Sequence, residues 1–233
     1  MNDRILLKIS GEMFASDGNS FDPQKIYEVA QSIFDFKTQC NVDLVIVVGA
    51  GNLWRFRDNQ HLKLSRTISD KLGMTATNFN AVLLAEMLKE LGDLVSAVSV
   101  YGNADYIEEY NSESCRESLS RGQTIVFAGG TGSPYSTTDS ASVLRALELD
   151  CHIVYKATKV DGVYDKDPQK YPDAVRFSEL SFSEALSKNL KVMDASAFGM
   201  AMENDLPILV FDFSKPKILQ SVYQDSSIGT LVS

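Results

Sequence analysis

A chain of 233 residues with a hydrophobic share of 44% can bury a sizeable core as one domain. Its formal net charge of −9 argues against a general nucleic-acid or anionic-membrane surface, so an anion site must be a local cluster of cations. Cys40, Cys115 and Cys151 have neither CxxC nor Cys/His metal spacing, the apolar run near Met1 is too short for a signal peptide, and no run of 18 apolar residues exists; the expectation is a cytoplasmic protein with idle thiols, no structural metal site and no membrane span.

Taken in chain order, Arg4–Ile9 reads as a buried strand. Asp22-Pro23 is an N-cap followed by proline at the first helical position, opening a helix toward Thr38. Asp43–Val48 is the next strand. From Thr75 to Leu91, Ala81, Leu84, Leu88 and Leu91 recur at helical spacing and Gly92 ends the run. Then come a strand at Leu94–Val100, a helix at Asp105–Ser120, a strand at Thr124–Phe127, a helix at Thr138–Leu149 and a strand at Ile153–Tyr155. Helices at Ser183–Lys188 and Asp194–Asn204, a strand at Ile208–Phe211 and a helix at Lys215–Tyr223 complete the chain. Most strands are rich in Val and Ile without strict alternation, as strands buried on both faces are. The alternation predicts an α/β fold, a three-layer αβα sandwich around a mainly parallel sheet, with residues 1–233 as one two-lobed domain.

Ligands of such sheets bind at the carboxyl ends of strands. Three loops there stand out: Lys8-Ile-Ser-Gly-Glu12, Gly49-Ala-Gly-Asn-Leu-Trp-Arg55, and Ala128-Gly-Gly-Thr-Gly-Ser-Pro-Tyr-Ser-Thr-Thr-Asp139. Glycines let backbone N–H groups approach a ligand, helix N-termini favour phosphate, and Lys8 and Arg55 add charge. Neither GxxxxGK[ST] nor a complete GxGxxG with a ribose-binding acid is present, so the P-loop and dinucleotide folds find no support. Lys156-Ala-Thr-Lys-Val-Asp-Gly-Val-Tyr-Asp-Lys-Asp-Pro168 follows another strand; it reads either as a solvated turn or as a holder of a nucleoside.

Together these loops resemble the amino acid kinase superfamily, and within it the bacterial UMP kinases. The matching motifs are Leu6-Leu-Lys-Ile-Ser-Gly-Glu12, Gly51-Asn-Leu-Trp-Arg55, Asp70-Lys-Leu-Gly-Met-Thr-Ala-Thr77, Gly130-Thr-Gly-Ser-Pro-Tyr-Ser-Thr-Thr-Asp139, Leu144-Arg-Ala, Lys156–Pro168 and Leu190-Lys-Val-Met-Asp-Ala195, in the family's order and over nearly the whole chain. The resemblance implies the carbamate kinase-like fold and phosphoryl transfer from ATP, with Mg²⁺, to UMP. It also implies a homohexamer with GTP and UTP as effectors. Lys8, Arg55, Asp139 and Asp194 would be catalytic, the two acids by orienting lysines or Mg²⁺. ATP would meet Lys8, Ile9, Ser10, Gly11, Gly51, Arg55, Thr158, Tyr164 and Asp167, with the C-terminal lobe mainly its site. UMP, mainly in the N-terminal lobe, would meet Ala50, Asp70 and the stretch Thr131, Gly132, Ser133, Pro134, Tyr135, Ser136, Thr137, Thr138. On spacing alone Asp70 reads as a helix N-cap or first-turn acid; the match of Asp70-x-x-Gly-Met-x-Ala-Thr assigns it to the ribose. His61 and His152, outside all these motifs, read as ordinary surface or packing residues.

Five departures bear on this expectation. Ala50 replaces the middle glycine of the usual Gly-Gly-Gly, which is tolerable only at negative φ and with the nucleotide out of contact with Cβ. Phe56 replaces a glycine and Trp54 a phenylalanine beside Arg55. Ser133 replaces an asparagine in the uracil loop. The segment Ala15–Phe21, linked in the family to the GTP response, lacks the usual Gly-Phe-Gly. A kinase of the same superfamily acting on another acceptor, and a non-catalytic nucleotide sensor, are the competing readings.

Overall fold

The structure is a computed structural model describing residues 2–102 and 105–233; Met1, at the head of the N-terminal stretch read above, lies outside them. Its elements in order are β1 (Arg4–Ile9), α1 (Pro23–Cys40), β2 (Asp43–Val48), α2 (Arg66–Glu90), β3 (Val95–Ser99), β4 (Glu108–Glu109), α3 (Ser112–Ser120), β5 (Thr124–Ala128) and α4 (Thr138–Glu148). After them come β6 (Ile153–Thr158), β7 (Glu179–Leu180), α5 (Phe182–Ser187), α6 (Ala195–Glu203), β8 (Ile208–Asp212), α7 (Ile218–Gln224) and β9 (Thr230–Val232).

The strands form one sheet in the order β4-β3-β5-β2-β1-β6-β8-β9-β7. Every pairing is parallel except β8 with β9. Because side chains alternate along a strand, the sheet feeds two cores. Ile5, Leu7 and Ile9 pack with Leu44, Ile46 and Val48 under α1, α2 and α7. Leu6, Val45, Val47, Phe127, Val154 and Val210 pack under α3, α4 and α6. This is the expected αβα sandwich.

Local signals set the helix ends. The Asp22 carboxylate accepts from the Gln24 and Lys25 N–H groups, Pro23 takes the first position, and α1 closes on Asn41 at φ 52°. Two helices differ from expectation. α2 begins at Arg66, capped by Ser65, well before Thr75. Its first turns leave Ile68 and Leu72 exposed, so the apolar stripe that marks the helix in sequence starts only where the core does. Over Asp105–Ser120 only Ser112–Ser120 is helical: Glu108–Glu109 pairs with Val98–Ser99 as an edge strand, and Asn111 caps the helix through the Ser114 N–H. Strands of two or three residues such as β4, β7 and β9 are too short to carry a periodic signal.

Candidate active site

The centre of the site follows from strand register. Lys8 of β1 lies directly beside Lys156 of β6. Each is two residues beyond a core side chain, Leu6 and Val154, of the α4 face, so both ammonium groups point to that face at the carboxyl end of the sheet. Like charges side by side repel. Asp139, in the first turn of α4, answers both: Lys8 Nζ lies 3.1 Å from Oδ1, and Lys156 Nζ donates to Oδ2 at 2.6 Å and to the Val192 carbonyl at 2.7 Å. All three side chains are at most 15% exposed. Burial pushes the Asp139 carboxyl up, but the two lysines outweigh it and hold its pKa below 3.8. Burial, with the charge of Lys8, outweighs Asp139 at Lys156 and lowers its pKa. One carboxylate serves two ammonium groups, so the triad carries a net positive charge in a half-dry place. Such a site favours an anion.

Above the triad opens a cavity of about 340 Å³, lined by Lys8, Ser10, Gly49–Gly51, Arg55, Asp70, Met74, Thr131 and Ser136–Thr138 among others. One face of α2 supplies a wall. Asp70, Met74 and Thr77 line it at helical spacing, and buried Asn80 follows before the stripe continues as Ala81, Leu84 and Leu88 in the core. Asp70 is neither N-cap nor first-turn acid, since Ser65 caps the helix and accepts from Ile68 N–H. Its carboxylate pairs with Arg66 Nε and accepts from the Tyr135 N–H at 2.8 Å.

The opposite wall is the loop between β5 and α4. Gly129 sits at φ 79°, and a Cβ there would meet the Val100 side chain at 2.6 Å and Ser99 Oγ at 2.7 Å, so only glycine fits. Its N–H donates to Thr77 Oγ1, which anchors the loop to α2. Thr131 Oγ1 bonds the Ser133 backbone N–H and carbonyl, both at 3.1 Å, and the Gly132 carbonyl accepts from Tyr101 Oη. Tyr135 is left-handed at φ 63° and, at 72% exposure, points outward. Gly132, Ser133, Pro134 and Tyr135 therefore form the loop's crest, while Thr131, Ser136, Thr137 and Thr138 line the cavity. Thr137 caps α4 by accepting from the Asp139 and Ser140 N–H groups. Its hydroxyl also donates to Asp194, the N-cap of α6, which accepts from Ser140, Ser196 and the Ala197 N–H as well. Burial pushes the Asp194 carboxyl up, but these hydrogen bonds outweigh it and lower its pKa. In the structure Asp194 thus orients hydroxyls at two helix starts, and its charge also acts on Lys156.

The Gly49–Arg55 loop bends tightly against the Lys8–Glu12 loop. A Cβ on Gly11 would stand 2.6 Å from the Gly49 carbonyl and 2.3 Å from Asn52 Oδ1. Asn80, fully buried, donates to the Gly49 carbonyl at 2.8 Å and to Asn52 Oδ1 at 2.8 Å. Ala50 is absent from the positive-φ positions, so its backbone accepts the methyl without strain; the residue lines the cavity. Ser10 caps the short turn at Gly11–Phe14, and Ile9 is fully buried at the end of β1. Arg55 donates to the Gly51 carbonyl at 3.0 Å and pairs with Glu12, which also meets Lys159 at 3.1 Å. The bulky neighbours do not displace it from the cavity: Trp54 Nε1 donates to Ser69, and Phe56 lies under Arg66.

On the other side of the Ser10–Met13 turn is a cavity of about 780 Å³, lined by Glu12, Met13, Thr158, Lys159, Phe213 and residues of α1 and the loop before α7. Of the three residues of the Lys156–Pro168 segment expected to meet ATP, Thr158 lies here, with its hydroxyl donating to the Val160 carbonyl. Tyr164 bonds Asp161, and Asp167 accepts from the Gln169 N–H within its own turn; neither lines this cavity. His61 is exposed and His152 lies at the far end of the sheet beside Arg4. Lys156 and Asn80 were not singled out from sequence as site residues. Their signals were a lysine at the fourth position of β6, close to the fifth that Lys8 takes in β1, and a polar residue on the core stripe of α2.

Among the described residues no three potential metal-ligating side chains converge. The whole pattern is matched in known proteins. A sequence model of the Amino acid kinase family matches residues 3–212. The chain is 39% identical over 230 residues to the uridylate kinase of Xanthomonas campestris pv. campestris, covering 98% of this chain and 95% of that one. It superposes on the UMP kinase of Ureaplasma parvum with a TM-score of 0.93 at 33% identity, covering 100% and 99% of the two chains. The UMP kinase of Bacillus anthracis gives 0.96 at 28%, covering 100% and 96%. By the family model and these likenesses, the chain belongs to the amino acid kinase family and, within it, to the uridylate kinases.

Proposed function

We propose that the chain transfers the γ-phosphoryl group of ATP to UMP, giving ADP and UDP, and that residues 1–233 work as one domain for this. The observation that carries the reading is the net-positive Lys8–Asp139–Lys156 triad, which reaches through Lys8 into the cavity lined by Asp70, Thr131 and Ser136–Thr138. UMP is assigned to that cavity and ATP to the neighbouring one, with the phosphates meeting over Ser10, Gly11 and Gly49–Gly51.

An oxygen of the UMP phosphate forms the new bond to the γ-phosphorus, and the bond from that phosphorus to the β–γ bridging oxygen breaks. A phosphate monoester has its second pKa near ~6, so the attacking group is largely a dianion at neutral pH and no general base is required. The difficulty is repulsion: two unit charges ~4 Å apart at an effective dielectric near 20 repel by ~4 kcal/mol. Lys8 and Lys156, steered by Asp139, offset that charge as the loose transition state develops, while Arg55 and the glycine-loop amides hold the phosphates in line. Asp194 keeps Thr137 and Ser140 oriented at the start of α4. The acids near the triad are committed to lysines and hydroxyls, which suits an ion that arrives on the nucleotide; Mg²⁺ bound to the triphosphate would supply further charge neutralisation.

The homohexamer, GTP activation, UTP inhibition and a cytoplasmic location are part of the same proposal. The exposed Ile68, Leu72 and Phe79 on α2 support a subunit interface there.

The test is ADP release from MgATP with UMP, CMP, dTMP and carbamate offered in parallel, and Asp194→Asn as control. Turnover on UMP that collapses in the control is expected. Turnover on another acceptor alone would replace the substrate, and nucleotide binding without turnover would make the protein a sensor.

A further inference from the structure

The acceptor cavity holds a cation that none of the expected roles uses. Arg66, at the first position of α2, lines it together with Asp70 and Phe56. Its Nε lies 2.7 and 2.8 Å from the two oxygens of Asp70. Its guanidinium stands 4.9 Å from the Phe56 ring centroid and 5.8 Å from that of Tyr135. The N–H of the same Tyr135 donates to Asp70. Three separate segments therefore converge on one carboxylate: the loop after β2 through Phe56, α2 through Arg66, and the crest of the β5–α4 loop through Tyr135.

An ion pair four residues apart on a helix is ordinarily a surface feature of little consequence. This one differs in three respects. The Asp70 side chain is only 12% exposed. The guanidinium has aromatic partners in two other segments, which restricts a side chain that otherwise explores many rotamers. Both members of the pair face the same cavity. A carboxylate offers about four acceptor directions; Arg66 and the Tyr135 N–H take three hydrogen bonds between them, and Asp70 still lines the cavity where a ligand would meet it. The χ2 torsion of an aspartate is broad, so without such partners the carboxylate would swing.

We propose that Arg66, held by Phe56 and Tyr135, is a positioning residue of the acceptor site: it fixes the Asp70 carboxylate to receive the ribose hydroxyls, and thereby sets the preference for a ribonucleotide over its 2′-deoxy counterpart. This rests on the assignment of UMP to the cavity. Phe56, which departs from the glycine usual in the resembled family, makes the clamp a feature of this chain.

Steady-state kinetics with UMP and dUMP on the full chain test it, using Arg66→Gln, Arg66→Lys, Phe56→Ala and Asp70→Asn. Arg66→Gln should raise the UMP KM roughly tenfold, as loosening a charge-assisted contact to a substrate hydroxyl would. It should leave the ATP KM unchanged and bring the UMP:dUMP ratio of kcat/KM toward that of Asp70→Asn. Lysine, a point charge without the planar fork, should not restore the ratio, and Phe56→Ala should shift it in the same direction by less. Equal losses on UMP and dUMP in Arg66→Gln, an unchanged ratio in both Arg66→Gln and Phe56→Ala, or a wild type that uses the two substrates alike would overturn the proposal while leaving the kinase reading intact. An Asp70→Asn variant with an unaltered ratio, or a wild type inactive on UMP, would instead overturn the assignment of the cavity itself.

Discussion

Replacing Lys156 by methionine removes one charge from the triad while keeping a side chain of similar length. Lys156 Nζ donates to Asp139 at 2.6 Å, and Lys8 Nζ lies 3.1 Å from the same carboxylate. The substitution takes the cluster from net positive to neutral. One unit charge acting on the transferring phosphoryl group over ~4 Å at an effective dielectric near 20 is worth ~4 kcal/mol. That is a loss of about three decades in kcat. The effect on stability should be small, because two terms oppose each other. Relief of a buried cation crowded by Lys8 stabilises the fold, while the Val192 carbonyl loses its donor, each on the order of 1–3 kcal/mol. The assay is coupled ADP release at saturating UMP and ATP, beside urea unfolding of the same preparations. A variant that keeps more than about a tenth of wild-type kcat would refute the electrostatic role assigned to Lys156. One whose lost activity tracks a large loss of stability would show the triad to be structural.

Gly11→Ala places a methyl 2.6 Å from the Gly49 carbonyl, so one loop must move by most of an ångström. Roughly a hundredfold loss of kcat is expected, with ~1–3 kcal/mol of destabilisation from overpacking, both read in the same two assays. Asp139 has a folded pKa below its unfolded value, so its stabilisation is complete above about pH 4 and is lost as pH falls through the folded pKa. The gap in urea midpoint between wild type and Asp139→Asn should therefore shrink from pH ~6 to pH ~3; a constant gap would count against the ion pairs. Ser133 has its backbone N–H and carbonyl engaged by Thr131. Ser133→Asn should therefore leave the ratio of UMP to CMP turnover within about twofold, and a larger shift would assign base selection to that side chain.

The sequence by itself determined the layers. Val- and Ile-rich runs without alternation were legible as strands buried on both faces, and Asp22-Pro23 and Gly92 marked helix boundaries, because these signals are local. It also placed the glycine loops at the sheet's carboxyl edge, since a βα connection leaves the chain no other place for them. Arg66 as the true start of α2, and the strand at Glu108–Glu109, were hidden: the first lies ahead of the apolar stripe, and the second pairs along an edge too short for a period. The Lys156–Pro168 segment was the least legible part, for Tyr164 bonds Asp161 and Asp167 accepts from the Gln169 N–H, each a partner only two or three residues away in the chain. Tertiary structure alone decided the chemistry of the centre. Lys8 and Lys156 are 148 positions apart in the chain and become neighbours only through the β1–β6 register, and only then does a single carboxylate on α4 have two lysines to serve. The same holds for the clamp on Asp70, whose partners come from three segments. Local propensity can write a strand, a cap or a turn; which side chains share a charge depends on contacts between distant segments, and those exist only once the sheet has closed.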